Sequence, residues 1–414
     1  MYGSKSGLIF LAITLVFFGA EGWAQDSTQT KVKFSDIVRV SGYVKNLNII
    51  SYSDNAIIGN SNENFLHNRL NLRIYPIKNL TVAAEFRNRL FYSRSTASTL
   101  RRNLGQDPGL LDMSWNIGKD YDPVQFNAQI DRLWVAYGND RFDLRIGRQR
   151  VNWGINTAWN PNDIFNAYNF IDFDYSERPG TDAARFQYFG KKMRGFEAVV
   201  APRANWKETT SAFMYKFNAK GYDFQLIGGQ AKEDVTAGFG FAGNLKNAGL
   251  KGEVQWFAPW NGFTDSTHTL TGVISADYAF KNSLYISGSI LYSSNGIEDS
   301  NPIALASFFS GTPLDAKNLM PTKYNGFLTM RYSITPLLSS SIAVIYGYGP
   351  HLLLLNPSLT FSIVENWDLL LAAQLFFSEF LVEENGFPVF ENGVLKTSYQ
   401  NVSNSVFLRL QWSY

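Results

Sequence analysis

The chain has 414 residues, of which 15% are aromatic and only 17% charged, with no cysteine and a formal net charge of +2. Those figures exclude a disulfide framework, thiolate metal sites and a lipoprotein anchor, and they argue against a highly charged or disordered chain. No uninterrupted apolar run of about 18 residues follows the first segment, so no transmembrane helix is expected.

In chain order, Lys5 precedes the apolar run Gly7 to Gly19 and the small-x-small site Gly22-Trp23-Ala24. This pattern predicts a secretory signal peptide, 1–24, cut after Ala24. A polar segment, 25–37, follows and is expected to lie in the periplasm. From 38 to 414 the sequence alternates apolar and polar residues in segments of roughly ten residues, with no linker or low-complexity spacer.

Tight turn formers separate these segments at 76–79, 138–141, 190–192, 218–221, 244–249, 281–283, 335–336 and 365–366. Longer connections fall at about 54–64, 92–124, 152–181, 203–209, 231–235, 258–267, 296–322, 349–352 and 382–395. Eight short and nine long connections predict an all-β, up-and-down antiparallel transmembrane barrel of 18 strands; merging around 231–245 would give 16. A barrel of that width leaves an aqueous channel instead of a packed interior. An even strand count places both ends of the barrel at the short-turn rim, which is expected to face the periplasm, with the long loops outside.

The last strand reads Val406, Leu408, Leu410, Trp412, Tyr414 on one face and Phe407, Arg409, Gln411, Ser413 on the other. It resembles the terminal strand of bacterial outer-membrane barrels, which implies an integral protein of the outer membrane. It is expected to pair with the first strand, Val38 to Ser51, and so remove both free edges.

A second resemblance is carried by Ile146-Gly147-Arg148-Gln149-Arg150-Val151-Asn152-Trp153-Gly154, then Asn160-Pro161-Asn162-Asp163, then Arg178-Pro179-Gly180. These residues are similar to the third-loop region of large porins of the alginate-export and phosphate-porin type. The likeness covers about 35 residues and implies a porin-like barrel without indicating a cargo.

Arginine is unevenly placed: 17 of 19 lie at or before Arg203, and only Arg331 and Arg409 follow. Strand parity puts Arg69, Arg73, Arg87, Arg89, Arg145 and Arg185 on the water-filled side, because an arginine facing lipid near the midplane costs about 2–4 kcal/mol. Such a stripe suits carboxylate or phosphate groups. The competing reading is that these arginines pair with Glu85, Asp131, Asp143 and Glu197 and stiffen the wall. Simple alternation would turn Arg132, Arg148 and Arg150 towards lipid. A bulge near Gly147 would repair this, as would placement beyond the hydrocarbon band.

Segment 152–181 mixes Trp153, Trp159, Phe165, Tyr168, Phe170, Phe173 and Tyr175 with acids. It is expected to fold into the lumen as a constriction that includes Trp153, Asp163, Asp172, Asp174, Glu177 and Arg178, with the acids facing the arginine wall. The bland reading is an external cap held by its own rings. Trp256, Trp260, Phe263, Phe308 and Phe309 could stack on sugars, but interface girdles use aromatics equally well.

The three histidines, His67, His268 and His351, share no local ligand spacing, so neither a metal nor another cofactor is expected. A barrel hydrolase needs a histidine beside a serine on the outer wall, whereas His67 has the parity of Arg69. Gly238-Phe239-Gly240-Phe241-Ala242-Gly243 has phosphate-loop glycines but alternates like a strand. The expected function is passive diffusion of small polar or anionic solutes. The alternative is an export or assembly-partner barrel. The expected surroundings are outer-membrane lipid and lipopolysaccharide, with no nucleic-acid partner and with a homo-oligomer left open.

Overall fold

The computed structural model describes residues 34–52, 60–93, 107, 109–118, 122–166, 180–261, 268–299, 314–384, 387–391 and 393–414. Two units separate, Met1–Ile37 and Val38–Tyr414. In the first, the described part is one helical turn, α1 (Phe34–Ile37). The expected leader, 1–24, lies outside the described residues.

The second unit is built on β-strands, with one 3-10 turn at Trp206–Glu208 among its connections. Its strands are β1 (Val38–Tyr52), β2 (Ser61–Ile74), β3 (Leu80–Ser93), β4 (Ser114–Ile117), β5 (Val124–Gly138), β6 (Phe142–Gln149), β7 (Thr181–Phe189) and β8 (Gly195–Ala201). There follow β9 (Thr210–Ala219), β10 (Tyr222–Ala231), β11 (Asp234–Leu245), β12 (Ala248–Pro259), β13 (Thr269–Ala279), β14 (Leu284–Ser293) and β15 (Tyr324–Thr335). The last are β16 (Leu338–Gly347), β17 (Leu352–Val364), β18 (Trp367–Leu381), the two-residue β19 (Glu383–Glu384), β20 (Phe387–Pro388), β21 (Phe390–Glu391) and β22 (Val394–Leu395), and β23 (Thr397–Ser413).

Leaving aside β4 and β19–β22, 18 strands form a closed antiparallel barrel. Closure is made by β23 on β1, in register from Tyr43↔Ser413 to Tyr52↔Asn404. That is the pairing expected from the alternation of Val406 to Tyr414. The count is 18 and not 16 because β10 and β11 stay distinct. Their connection, expected to be one of the long ones, is the two-residue turn Lys232-Glu233, which closes tightly with Lys232 at φ 56°.

The alternation separates two faces. Leu133, Val135, Tyr137, Leu144, Ile146, Phe186, Leu226, Ile274, Ile290 and Leu371 are exposed on the outside. Their strand neighbours Asn127, Glu197, Gln225, Glu253, Gln255, Thr271, Ser287 and Asn325 are buried on the inside. A closed sheet with an apolar exterior and a polar interior has no free edge, which satisfies the backbone in lipid and leaves water the lumen.

The bulge that reverses side-chain facing lies earlier than Gly147. The β3–β5 ladder pairs Glu85 with Arg132 and then Phe86 with Ile130, so Asp131 is the extra residue. Asp131 and Arg132 are consequently both buried on the inner side. Gly147 does take a left-handed φ of 118°, yet the β5–β6 and β6–β7 registers run through it unbroken.

Arg148 is not turned by a bulge at Gly147, since both registers run through it. It is buried where β6 ends, with Nε donating to Asp182 Oδ1 at 2.8 Å, Nη2 to Asp182 Oδ2 at 3.0 Å, and Nη1 to Asp107. Strand β4 pairs with β5 from Ser114↔Gln129 to Ile117↔Phe126, alongside the part of β5 that β6 does not reach. Arg148 thus fastens the incoming segment, through Asp107 and the Leu111 carbonyl, to the end of the shortened strand. Arg150 is exposed.

Candidate functional site

Two constructions occupy the inner face: a charged wall on β1–β3 and β5–β8, and a chain segment laid against β8–β15.

Wall carboxylates lie beside the arginines, and they are the four that the competing sequence reading named. Arg69 pairs with Asp131 at 2.6 Å and with Glu85, and Arg87 reaches the other Asp131 oxygen at 2.9 Å. Arg185 donates through Nε to Glu197 at 2.7 Å, and Arg145 lies 3.8 Å from Asp143. Arg145 also stacks on Trp134, 4.2 Å from the ring centre. Arg89 holds Asn127 at 2.6 and 3.0 Å. Arg73 is exposed near the end of β2, opposite Arg39.

This region carries Lys45, Arg69, Arg73, Arg87, Arg89, Arg132, Arg145 and Arg185 on the inner face. The carboxylates of that face are Glu63, Glu85, Asp131, Asp143 and Glu197. Pairing therefore leaves an excess of fixed cations.

The segment that follows β6 runs from this wall across the inner face. Trp153 is buried, and its Nε1 donates to Glu197 Oε1 at 2.7 Å, so the same carboxylate serves the wall arginine and the segment. Gln225 on β10 donates to the Trp153 carbonyl at 2.9 Å. Asp163 is buried within the segment and accepts from the Trp153 backbone N–H at 3.3 Å.

The far end is held by Glu253 on β12. Its Oε1 accepts from the backbone N–H of Ile155 at 2.7 Å and of Asn156 at 3.0 Å, and from Asn156 Nδ2 at 2.8 Å. Its Oε2 accepts from the backbone N–H of Asn162 at 2.9 Å. A carboxylate so buried is tolerable because the chain supplies donors to both oxygens.

Trp159 then packs edge-on against Phe327, 5.9 Å between centres, in an apolar cluster with Val273, Leu291 and Ile345. A second segment joins there: Leu319 and Met320 belong to this cluster, and Ala316 packs with Ala231, Phe257 and Ile164. Lys317–Asp234 at 2.8 Å and Lys232–Asp315 at 3.0 Å tie it to the β10–β11 turn.

The glycine run 238–243 acquires a structural role here. Asn162 Nδ2 donates to the Phe239 carbonyl at 3.1 Å. A Cβ at Gly240 would stand 2.9 Å from Asn162 Nδ2 and 2.7 Å from Gln225 Nε2. Glycine on the inner face of β11 makes the space in which the segment sits.

Of the expected constriction residues, Trp153 and Asp163 are brought together; Asp172, Asp174, Glu177 and Arg178 lie outside the described residues. Sequence reading missed Glu253, Asn156, Asn162 and Gln225. The available signal was Glu253 itself, an acid at mid-strand with inward parity. The histidines stand apart: His67 on the inner face edge-on to Tyr43 and Phe65, His268 against Trp256, and His351 hydrogen-bonded to Tyr346 Oη at 2.7 Å. Among the described residues, no three His, Asp or Glu side chains gather into a metal site.

No protein-family model and no curated protein matches the sequence. Solved structures do match. Acinetobacter baumannii OccAB4 superposes with a TM-score of 0.56 at 10% identity, covering 91% of this chain and 98% of that one. A. baumannii OccAB1 gives 0.57 at 10% identity, covering 94% and 99%. Pseudomonas aeruginosa OccK11 (OpdR) gives 0.54 at 10% identity, covering 91% and 96%. At such identity the likeness shows a shared fold alone.

Proposed function

We propose that this chain is a channel of the bacterial outer membrane through which small polar solutes diffuse, after removal of a leader at Ala24. The observation that carries the reading is a closed 18-strand barrel, apolar outside and polar inside, with a chain segment anchored across its inner wall by Glu197, Gln225 and Glu253. That segment narrows the lumen on the side facing β8–β15, and Arg73, Arg87, Arg89, Arg145 and Arg185 line the opposite side, with Arg69 buried among its carboxylate partners in the wall. The excess of cations over carboxylates there biases the pore towards anions, since fixed charge in a narrow aqueous path raises the local concentration of counter-ions.

The local likeness of residues 146–180 to alginate-export and phosphate-porin channels falls on this same segment. It supports a channel and adds no cargo. The likeness of fold to the Occ/Opd structures supports a diffusion channel without naming a solute.

Purified protein in planar bilayers under a salt gradient tests both parts. Steady conductance is expected, with a reversal potential of anion-selective sign, and liposomes should swell more slowly as sugars and organic anions grow in size. Absence of conductance and swelling would remove the channel reading; a cation-selective potential would remove the anion bias alone.

A further inference from the structure

The outward face of β1–β3 departs from the rest of the wall. Elsewhere mid-strand positions on that face are residues such as Leu226, Ile274, Ile290, Leu328 and Leu371. On β1 and β2, Asn46, Asn48, Asn64 and Asn68 take the same parity as exposed Ile50 and Leu66, and Asn88 on β3 shares that of exposed Leu90. The registers β1–β2, β1–β23 and β2–β3 run without a bulge, so these facings are fixed. Asn46 and Asn48 stand directly opposite exposed Leu410 and Leu408. Asn64 stands directly opposite Tyr92, and Asn68 donates to the Tyr414 hydroxyl at 3.4 Å, so the amides reach from one set of aromatic residues to the other.

They form two bonded groups, Asn46 with Asn48 and Asn64, and Asn68 with Asn88. Asn64 Nδ2 donates to Asn48 Oδ1 at 2.7 Å and to Asn46 Oδ1 at 3.3 Å, Asn48 Nδ2 to Asn46 Oδ1 at 2.9 Å, and Asn46 Nδ2 to Asn64 Oδ1 at 3.2 Å. Asn88 Nδ2 donates to Asn68 Oδ1 at 3.2 Å. Internal bonds reduce the cost of placing amides in lipid, but none of the five residues is fully buried. An amide presents both donors and acceptors, so a cluster of amides is complementary to itself.

We propose that this face is a self-association surface, occupied by the same face of a second copy of the chain. The proposal rests on the outer wall meeting lipid. Two copies inserted in one membrane with the same orientation are related by an axis along the membrane normal. Each residue then meets its partner at its own depth, so the amides of one copy meet the amides of the other. Acyl chains offer these groups nothing, whereas a second amide cluster satisfies their remaining capacity, the role polar side chains play between helices in lipid.

The absence of native cysteine makes the test direct. Leu66→Cys places one thiol among the intact amides, and Ile274→Cys places one on the far wall. Membranes bearing the full chain are treated with a short bis-maleimide. Leu66→Cys is expected to give a product of twice the chain mass and Ile274→Cys none; adding Asn46→Leu, Asn48→Leu and Asn64→Leu should lower the yield about tenfold or more. No dimer from Leu66→Cys, equal yields from both thiols, a yield untouched by the triple leucine change, or a product of another mass would overturn the proposal. Single-channel conductance of the same preparations reports separately on the channel reading, since none of the three asparagines faces the lumen. Should the triple variant not fold, the two single-thiol chains still decide.

Discussion

Gly42 and Tyr414 exchange both backbone hydrogen bonds, each at 2.9 Å, and the Tyr414 ring lies over the glycine with its hydroxyl donating to the Arg69 carbonyl at 3.2 Å. This pair ends the β1–β23 seam at the rim. A Cβ at Gly42 would collide with the Arg69 carbonyl and the tyrosine ring. Gly42→Val is therefore expected to cost about 1–3 kcal/mol by overpacking, seen as a lower urea midpoint in micelles. Tyr414→Ala should cost less, because the backbone pair remains. Equal midpoints for Gly42→Val and the parent chain would show that the seam does not limit stability.

How far the sequence reveals this molecule depends on the range over which each feature is encoded. Alternation is written in adjacent residues, so the strand count and the closing strand could be read directly. The bulge at Asp131 could not, because any residue can be the extra one, and Gly147 drew the assignment by its chemistry. Glu253 and the segment it holds are about 91 to 98 residues apart in sequence, and nothing local to either announces the other.

Glu253 supplies the clearest lever on the inserted segment. Glu253→Ala removes the acceptor of three buried backbone N–H groups, each costing about 1–3 kcal/mol when unpaired. The segment should detach from β12 before the barrel itself yields, since wall strands keep their own ladders. Single-channel recordings are expected to show larger and noisier conductance with sheet content unchanged by circular dichroism. Unaltered conductance would mean that the segment does not restrict the path.

Asp131 is the carboxylate shared by Arg69 and Arg87, so Asp131→Asn removes one negative charge from between two fixed cations. The lumen there becomes more positive. Reversal potential should shift further towards anions, more at low salt than at high, because screening shortens the reach of the added charge. The barrel should lose about 3–5 kcal/mol as a buried ion set is broken. A shift towards cations would contradict the placement of this cluster along the ion path.

Arg148 joins Asp182 and Asp107, and Asp182 in turn accepts from the backbone N–H of Leu110 at 2.6 Å and Leu111 at 3.2 Å. Arg148→Met leaves two carboxylates buried without their cation, a loss of about 3–5 kcal/mol. The weakness should be local. Hydrogen exchange at Leu110, Leu111 and β4 is expected to quicken, while β12 and β13 keep their protection; uniform acceleration would instead indicate that Arg148 supports the whole barrel.

Gly240 tests whether the inner glycines of β11 exist for the segment or merely for the sheet. Gly240→Ala adds a methyl 2.7 Å from Gln225 Nε2 and 2.9 Å from Asn162 Nδ2, so the segment must shift, at about 1–3 kcal/mol. Gly272→Ala is the matched control on the outward face of β13, where the nearest atom lies 3.6 Å away. There the substitution should be neutral or slightly stabilising, because alanine restricts the unfolded chain more than glycine does. Conductance should change for Gly240→Ala and not for Gly272→Ala. If both leave it unchanged, β11 has room to spare and the glycines answer only to strand curvature.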